Sequence, residues 1–292
     1  MSLVAANPRH RARRRRADAI FRYLCFGAAA LGAAILVVFL AKIFLDGRAR
    51  LSPEFLTSRL SQRPLKTGIW PAVVGSFYVM ILTGLIAVPI GVAAAVYLEE
   101  FNTHRNRFTA FVQLNIANLA GVPSIVYGLL GLAVFVRWMA LKQSVLAGAF
   151  TMALLILPMV IIVTQEALRA VPKSYREGSM ALGSTQWQAI RYQVLPTALP
   201  GILTGVILAL SRAIGETAPL IVVGAASYVS ALPKKWDDHY TVLPIKIFDW
   251  SLEARHEFID DAAAAILVLI VALLALNSVA IYLRSRARAR IG

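Results

Sequence analysis

Six stretches of this chain, 23–41, 69–98, 108–136, 143–165, 196–226 and 262–283, carry almost no charge, and each runs for 19 residues or more. A helix needs about 20 mainly apolar residues to cross the ~30 Å hydrocarbon layer of a bilayer, where every backbone polar group must be satisfied within the protein. No other stretch is long enough. Composition agrees: 59% of the 292 residues are hydrophobic and 15% charged, too little polar surface for a water-soluble globule of this length. The expected fold class is an all-α polytopic membrane protein with six transmembrane helices.

A net charge of +15 would by itself suggest nucleic acid, and the run Arg13-Arg14-Arg15-Arg16 would suit a basic arm. Its placement argues for the lipid bilayer instead. Basic clusters directly precede the first apolar run and follow the last (Arg284, Arg286, Arg288, Arg290), as the positive-inside rule asks of two cytoplasmic termini. Six spans put both ends on one side, and that orientation places 17 Lys and Arg inside against 12 outside. The bias is modest because Arg48, Arg50, Arg59, Arg63 and Lys66 fall in the first outer connection. Residues 1–18 are expected to form a basic cytoplasmic arm and 19–292 a single transmembrane domain. The first run is long enough to span and no small-x-small site closes it, so it reads as a retained helix and not a cleaved signal. The single cysteine, Cys25, excludes an internal disulfide or a cysteine metal cluster.

Two connections stand out. The outer loop at 227–261 is rich in aromatics and charge (Trp236, Asp237, Asp238, His239, Tyr240, Trp250) and suits the outer interface. The inner one, 166–196, is too polar to cross. Its apolar Met180, Leu182, Trp187, Ile190 and Val194 allow one or two short helices broken at Gly183, with Ser184 or Thr185 as N-cap of the second. Spacing alone leaves it either a functional elbow or an idle amphipathic hairpin.

Inside the spans, Gly121, Pro123, Gly128 and Gly131 describe a helix that is kinked and open to close approach, as gating or simple small-residue packing would need. The GxxxG at Gly201 and Gly205 is a helix-contact face. Arg212 and Glu216 are the charges embedded within an apolar run. Each costs about 2.5–3.5 kcal/mol at the bilayer centre on insertion scales, so their retention implies a use. Four residues apart on a helix they can pair, either as a self-neutralising structural pair or as part of a pathway. No GxxxxGK[ST] loop occurs, so the chain is expected not to be an enzyme that hydrolyses ATP. No HExxH, paired cysteines or nucleophile elbow supports an intramembrane enzyme, and no cofactor or metal is implied.

The segment Glu177-Gly178-Ser179-Met180-Ala181-Leu182-Gly183-Ser184, followed by Ile190 and Leu195-Pro196, resembles the EAA loop of ABC importer permeases, with Gly178 departing from the usual small residue. Asn115 to Gly131, Ser211 to Leu220, Gly68 to Ser76 and Pro89 to Glu100 are similar to the phosphate importer permeases of PstA type. The resemblance implies a type I ABC importer permease fold in the bacterial inner membrane. It implies that Glu177, Gly178, Ser179, Ala181, Leu182, Gly183, Leu195 and Pro196 couple to an ATPase. It also implies a PstC-type permease partner, a PstB-type ATPase pair and a PstS-like phosphate-binding protein. On this reading Arg212 contacts the oxyanion through its guanidinium fork and Glu216 positions it. Sulfate and molybdate permeases are the neighbouring alternatives. A secondary transporter would instead show inverted repeats and broken midplane helices; the two halves show no self-similarity.

Overall fold

A computed structural model describes residues 8–61, 63, 66–102, 107–225, 229, 232–233 and 235–288, with the side chains of 8–17, 280, 283, 287 and 288 not described. The first seven residues of the basic arm, Arg105 and Arg290 therefore lie outside the described residues, as do 226–228 at the edge of the fifth run. The described chain is helical: α1 (Pro8–Gly47), α2 (Pro53–Thr57), α3 (Trp70–Val96), α4 (Arg107–Ala120), α5 (Ser124–Gly131), α6 (Val145–Arg169), α7 (Lys173–Ala181), α8 (Gln186–Ala189), α9 (Leu195–Ile214), α10 (Ala218–Val223), α11 (Leu243–Leu252) and α12 (His256–Arg288). Wide π turns extend α3 to Phe101 and α5 to Trp138, and join α8 to α9 without a break.

Five of the continuous helices are long and apolar enough to cross a membrane: Asp18–Gly47, Trp70–Phe101, Val145–Arg169, Gln186–Ile214 and His256–Arg286. The third apolar run departs from expectation. Arg107–Ala120 and Ser124–Trp138 meet at 103°, so this run makes a sixth crossing only if the bent pair is taken together. Fourteen residues of α4 rise about 21 Å, short of the ~30 Å needed alone. The fifth run departs too. Its helix begins at Gln186, inside the elbow, and stops at Ile214; the remainder is the separate six-residue α10. Gly215 ends α9, and Pro219, at the start of α10, suits a first helical turn that needs no N–H there.

The centre of the bundle is the pair α3 and α6, with α9 laid against α6. Gly91 of α3 lies where a methyl group would be 2.6 Å from the Val160 side chain, Gly205 of α9 takes Val163 equally closely, and Gly201 faces Ala167. The GxxxG is thus the contact face between α9 and α6. Around it Val79, Met152, Val160, Leu168, Ile190 and Val194 are buried in one apolar cluster. By contrast α1 is exposed along nearly its whole spanning length and lies against α12, its apolar side chains facing outward as lipid contact requires.

The loop after α10 does more than sit at an interface. Tyr240, Thr241 and Val242 are buried, and α11, which the sequence left inside a loop, carries buried Ile245, Lys246 and Trp250. Two glycines make room. A Cβ on Gly75 would lie 2.0 Å from the Thr241 carbonyl oxygen, and one on Gly148 would lie 2.1 Å from the Tyr240 hydroxyl. The Leu243 N–H donates to Ser76 Oγ at 2.9 Å, and the Val145 and Leu146 N–H groups at the start of α6 donate to Asp238 and Trp236 carbonyls. Burial pushes the Tyr240 hydroxyl well above its ordinary pKa, so it stays neutral. Beside this seam Trp250 stacks on Phe258 and meets Phe55 at a tilt, and Arg50 pairs with the fully buried Asp261 of α12 while lying 5.5 Å over the Phe55 ring. Gly75→Ala is expected to lower stability by about 1–3 kcal/mol through overpacking. Thermal unfolding of the purified protein in detergent measures it, with Gly32→Ala, which meets open space, as the unaffected control.

Candidate functional site

At one end of the bundle the chain turns from α6 into the elbow. Pro172 opens α7, whose described side chains are none of them buried. The helix ends in a Schellman turn: Gly183 takes φ +89°, its N–H donates to the Met180 carbonyl at 2.9 Å, and the Ser184 N–H donates to Ser179 at 3.2 Å. Thr185 then starts the next helix with a capping box, accepting from the Gln188 N–H while its own N–H donates to Gln188 Oε1 at 2.8 Å. Consequently Leu182 projects from the tip, 90% exposed, with Met180, Tyr175 and Trp187 also exposed around it. Among the described residues, nothing beyond the local backbone and chain neighbours lies within 4 Å of where a Cβ would sit on Gly178 or Gly183.

The elbow residues separate into two groups. Glu177, Gly178, Ala181, Leu182 and Gly183 are exposed and contiguous, with Ser179 half-buried beside them. Leu195 and Pro196 lie more than two helical turns further on, in the first turn of α9; Leu195 packs half-buried against the main core and only Pro196 is exposed. Sequence reading missed what holds the elbow in place. Arg176 forks onto Glu100 at the end of α3, Nε donating to Oε2 at 2.8 Å and Nη2 to Oε1, and also donates to the Val171 and Leu168 carbonyls, each at 2.9 Å. The hydrogen bond to Glu100 is the main reason the guanidinium is held charged even beyond its ordinary range. Arg169 pairs with Glu99 at 2.8 Å in a more exposed setting. The available signal was the acidic pair Glu99-Glu100 closing an apolar run, with Arg176 directly before Glu177.

The second assembly is a cleft of about 280 Å³ between the α4/α5 break, α6 and α9, lined by Ser124, Tyr127, Met159, Glu166 and Arg212 among others. Gly201 and Gly205 set the register of α9 on α6, and two further turns bring Arg212 level with Ile156 and Met159, near the middle of α6. Arg212 is therefore at mid-depth, with its side chain 63% exposed. Glu216 lies beyond the end of α9 and not on its face, yet its carboxylate reaches Arg212 Nε at 3.7 Å. The pair is too open to contribute much stability.

The four residues of the third span divide as well. Gly121 and Pro123 flank the 103° break, where the Gly121 N–H and Val122 N–H close onto Asn118 and Leu119. Gly128 and Gly131 are buried contact points instead. A Cβ on Gly128 would lie 2.8 Å from Pro219 Cα, and one on Gly131 would lie 2.1 Å from Thr151 Oγ1. Both broken elements, α4/α5 and α9/α10, thus touch at Gly128 and Pro219 beside the cleft.

An exposed elbow and a cleft between broken helices, in one helical bundle with five or six membrane-crossing helices, belong to a membrane transport subunit with the type I ABC importer permease fold. The chain superimposes on a chain of a bacterial ABC transporter involved in the import of the acidic polysaccharide alginate with a TM-score of 0.62 at 18% identity, over 93% of this chain and 99% of that one. Residues 87–291 match the family of binding-protein-dependent transport system inner membrane components, and the chain belongs to that family. It is 35% identical over 218 residues to the phosphate transport system permease protein PstA 1 of Mycobacterium tuberculosis (strain ATCC 25618 / H37Rv), covering 74% of this chain and 70% of that one. To PstA of Haemophilus influenzae it is 33% identical over 231 residues, covering 79% and 80%. Broken helices, which the sequence reading reserved for secondary transporters, therefore occur here in an ABC permease.

Proposed function

We propose that this chain is the permease subunit of an ATP-driven importer for inorganic phosphate, pairing with a PstC-type permease, a PstB-type ATPase pair and a PstS-like binding protein. The observation that carries the proposal is the exposed elbow on a chain whose relatives are phosphate transport permeases. Leu182, Met180 and Tyr175 present an apolar knob on a helix with no buried side chains, the shape of a helix that docks into a groove. The elbow end is cytoplasmic on this reading, and the seam at 238–250 faces the binding protein's side. The cleft supplies an arginine for an oxyanion, and the elbow passes the ATPase's movement to the helices lining it. Purifying the tagged chain from its native membrane is expected to bring an ATPase and a second permease with it, and reconstituted vesicles should take up phosphate only with ATP. Leu182→Glu is expected to weaken ATPase retention by about tenfold, the loss of one fully docked apolar anchor. Purification of the chain alone, with phosphate uptake driven by an ion gradient, would make it a secondary transporter; ATP-driven uptake of sulfate or molybdate would reassign the substrate.

A further inference from the structure

We infer that Arg176 and Glu100 form a latch that carries the elbow's movement into α3 and α6, making them positioning residues for transport. The inference rests on the proposed docking role of the elbow. Five described donor–acceptor contacts converge at one point where the ends of α3 and α6 meet the starts of α7 and α8. Arg176 of α7 binds both Glu100 oxygens and the Leu168 and Val171 carbonyls at the end of α6, while Gln186 Nε2 of α8 donates to the Glu100 carbonyl at 2.6 Å. Leu168 lies in the last turn of α6, where carbonyls lack the usual i+4 partner, and Val171 lies two residues beyond it, so one guanidinium caps the end of α6 and grips α3 at once.

Burial separates this pair from an ordinary surface bridge. The side chain of Glu100 is 5% exposed and that of Arg176 21%, against 49% for Arg169 in the neighbouring pair. A planar, two-pronged contact also resists rotation, which a single point contact does not. Among the described residues the rest of α7 buries no side chain and packs mainly against α8 and the π turn that follows it. A push on the tip at Leu182 therefore reaches the bundle by two routes. One is the backbone into α8 and α9. The other is Arg176, which leads directly into the two helices whose packing at Gly91 and Val160 forms the centre of the fold. Without the latch, α7 can pivot about Pro172 and the Thr185 cap, and motion of the ATPase is absorbed in the elbow.

The test uses the assembled transporter in lipid vesicles, comparing phosphate taken up per ATP hydrolysed. Arg176→Gln and Glu100→Gln are each expected to retain the ATPase and its basal turnover while uptake per ATP falls about tenfold, the scale of a buried charged hydrogen bond. The double variant is expected to be no worse than either single one, because both remove the same link. Arg176→Lys, which keeps the charge and loses the fork, should fall between. Wild-type uptake per ATP in Arg176→Gln, or loss of the ATPase from both single variants, overturns the latch, since a transmitting link leaves docking intact. Failure of the docking role itself shows differently: Leu182→Glu then retains the ATPase fully.

Discussion

Replacing Arg212 by Gln is expected to reduce phosphate uptake by about 10- to 100-fold in complexes that still assemble, equivalent to one charged hydrogen bond of roughly 1.5–3 kcal/mol. The side chain stands at mid-depth on the cleft wall, 63% exposed, and its partner Glu216 is 3.7 Å away beyond the end of α9. At that exposure the pair gives the fold little, and a cation in the last turn of a helix is already favourably placed against the helix dipole. Substitution should therefore leave the protein standing. Three variants separate pathway from structure. Arg212→Lys keeps charge without the planar fork and should retain part of the uptake. Arg212→Gln loses both. Arg212→Gln combined with Glu216→Gln removes the pair without leaving an unmatched carboxylate, so recovery of uptake in the double variant would show that the arginine served only Glu216. A double variant that assembles and remains inactive ties the arginine to the anion.

The parts of this molecule legible in its sequence are those governed by local chemistry. Uncharged runs located the spanning helices because a bilayer imposes one length and one solvent on all of them. Gly183 and Thr185 marked the elbow's turn because a left-handed residue and a helix cap are local requirements. Gly121 and Pro123 marked a weak point in the third span, but not its size: the distinction between a kink and a 103° break depends on what the second half packs against, namely Pro219 of a distant segment. The same holds for Arg212 and Glu216, whose spacing predicts a shared helix face. Gly215 ends the helix between them, and the contact survives through a turn.

What stayed hidden was set by tertiary approach. Gly75 and Gly148 read as ordinary membrane glycines, yet each leaves space for one atom of the loop that returns across them. A stretch with the charge and aromatics of 235–250 reads as interfacial, and its first residues are indeed exposed; the burial of 240–246 comes from those two gaps and from the Ser76 hydroxyl that accepts the Leu243 N–H. The acidic pair Glu99-Glu100 at the end of an apolar run signalled a contact, but its pairing with an arginine 76 residues later is set by the fold alone.

Gly183→Val should be the most damaging single change in the elbow, and for a reason that excludes packing. Among the described residues, no atom other than those of its chain neighbours lies within 4 Å of the position a Cβ would take, so a larger residue meets no clash. The obstacle is φ +89°, which a β-branched residue adopts only at a cost of about 1–3 kcal/mol. The turn gives way instead. Its two backbone hydrogen bonds, from Gly183 to Met180 and from Ser184 to Ser179, are lost, α7 frays, and the exposed Leu182 no longer points where the Thr185 cap and the α8 helix hold it. The bundle keeps its packing because no described side chain of α7 is buried in it and Arg176, two turns before the break, keeps its hold on Glu100. Uptake should fall about tenfold or more while the permease remains in the membrane and ATP turnover by the complex continues, uncoupled from transport. Asn tolerates the left-handed region far better than other residues, so Gly183→Asn should keep most of the uptake and Gly183→Ala a smaller share. That order, Asn above Ala above Val, follows backbone strain and not side-chain volume, since Asn is larger than Ala. A series that instead declines with size, or a Gly183→Val permease with wild-type uptake, removes the turn from the coupling path.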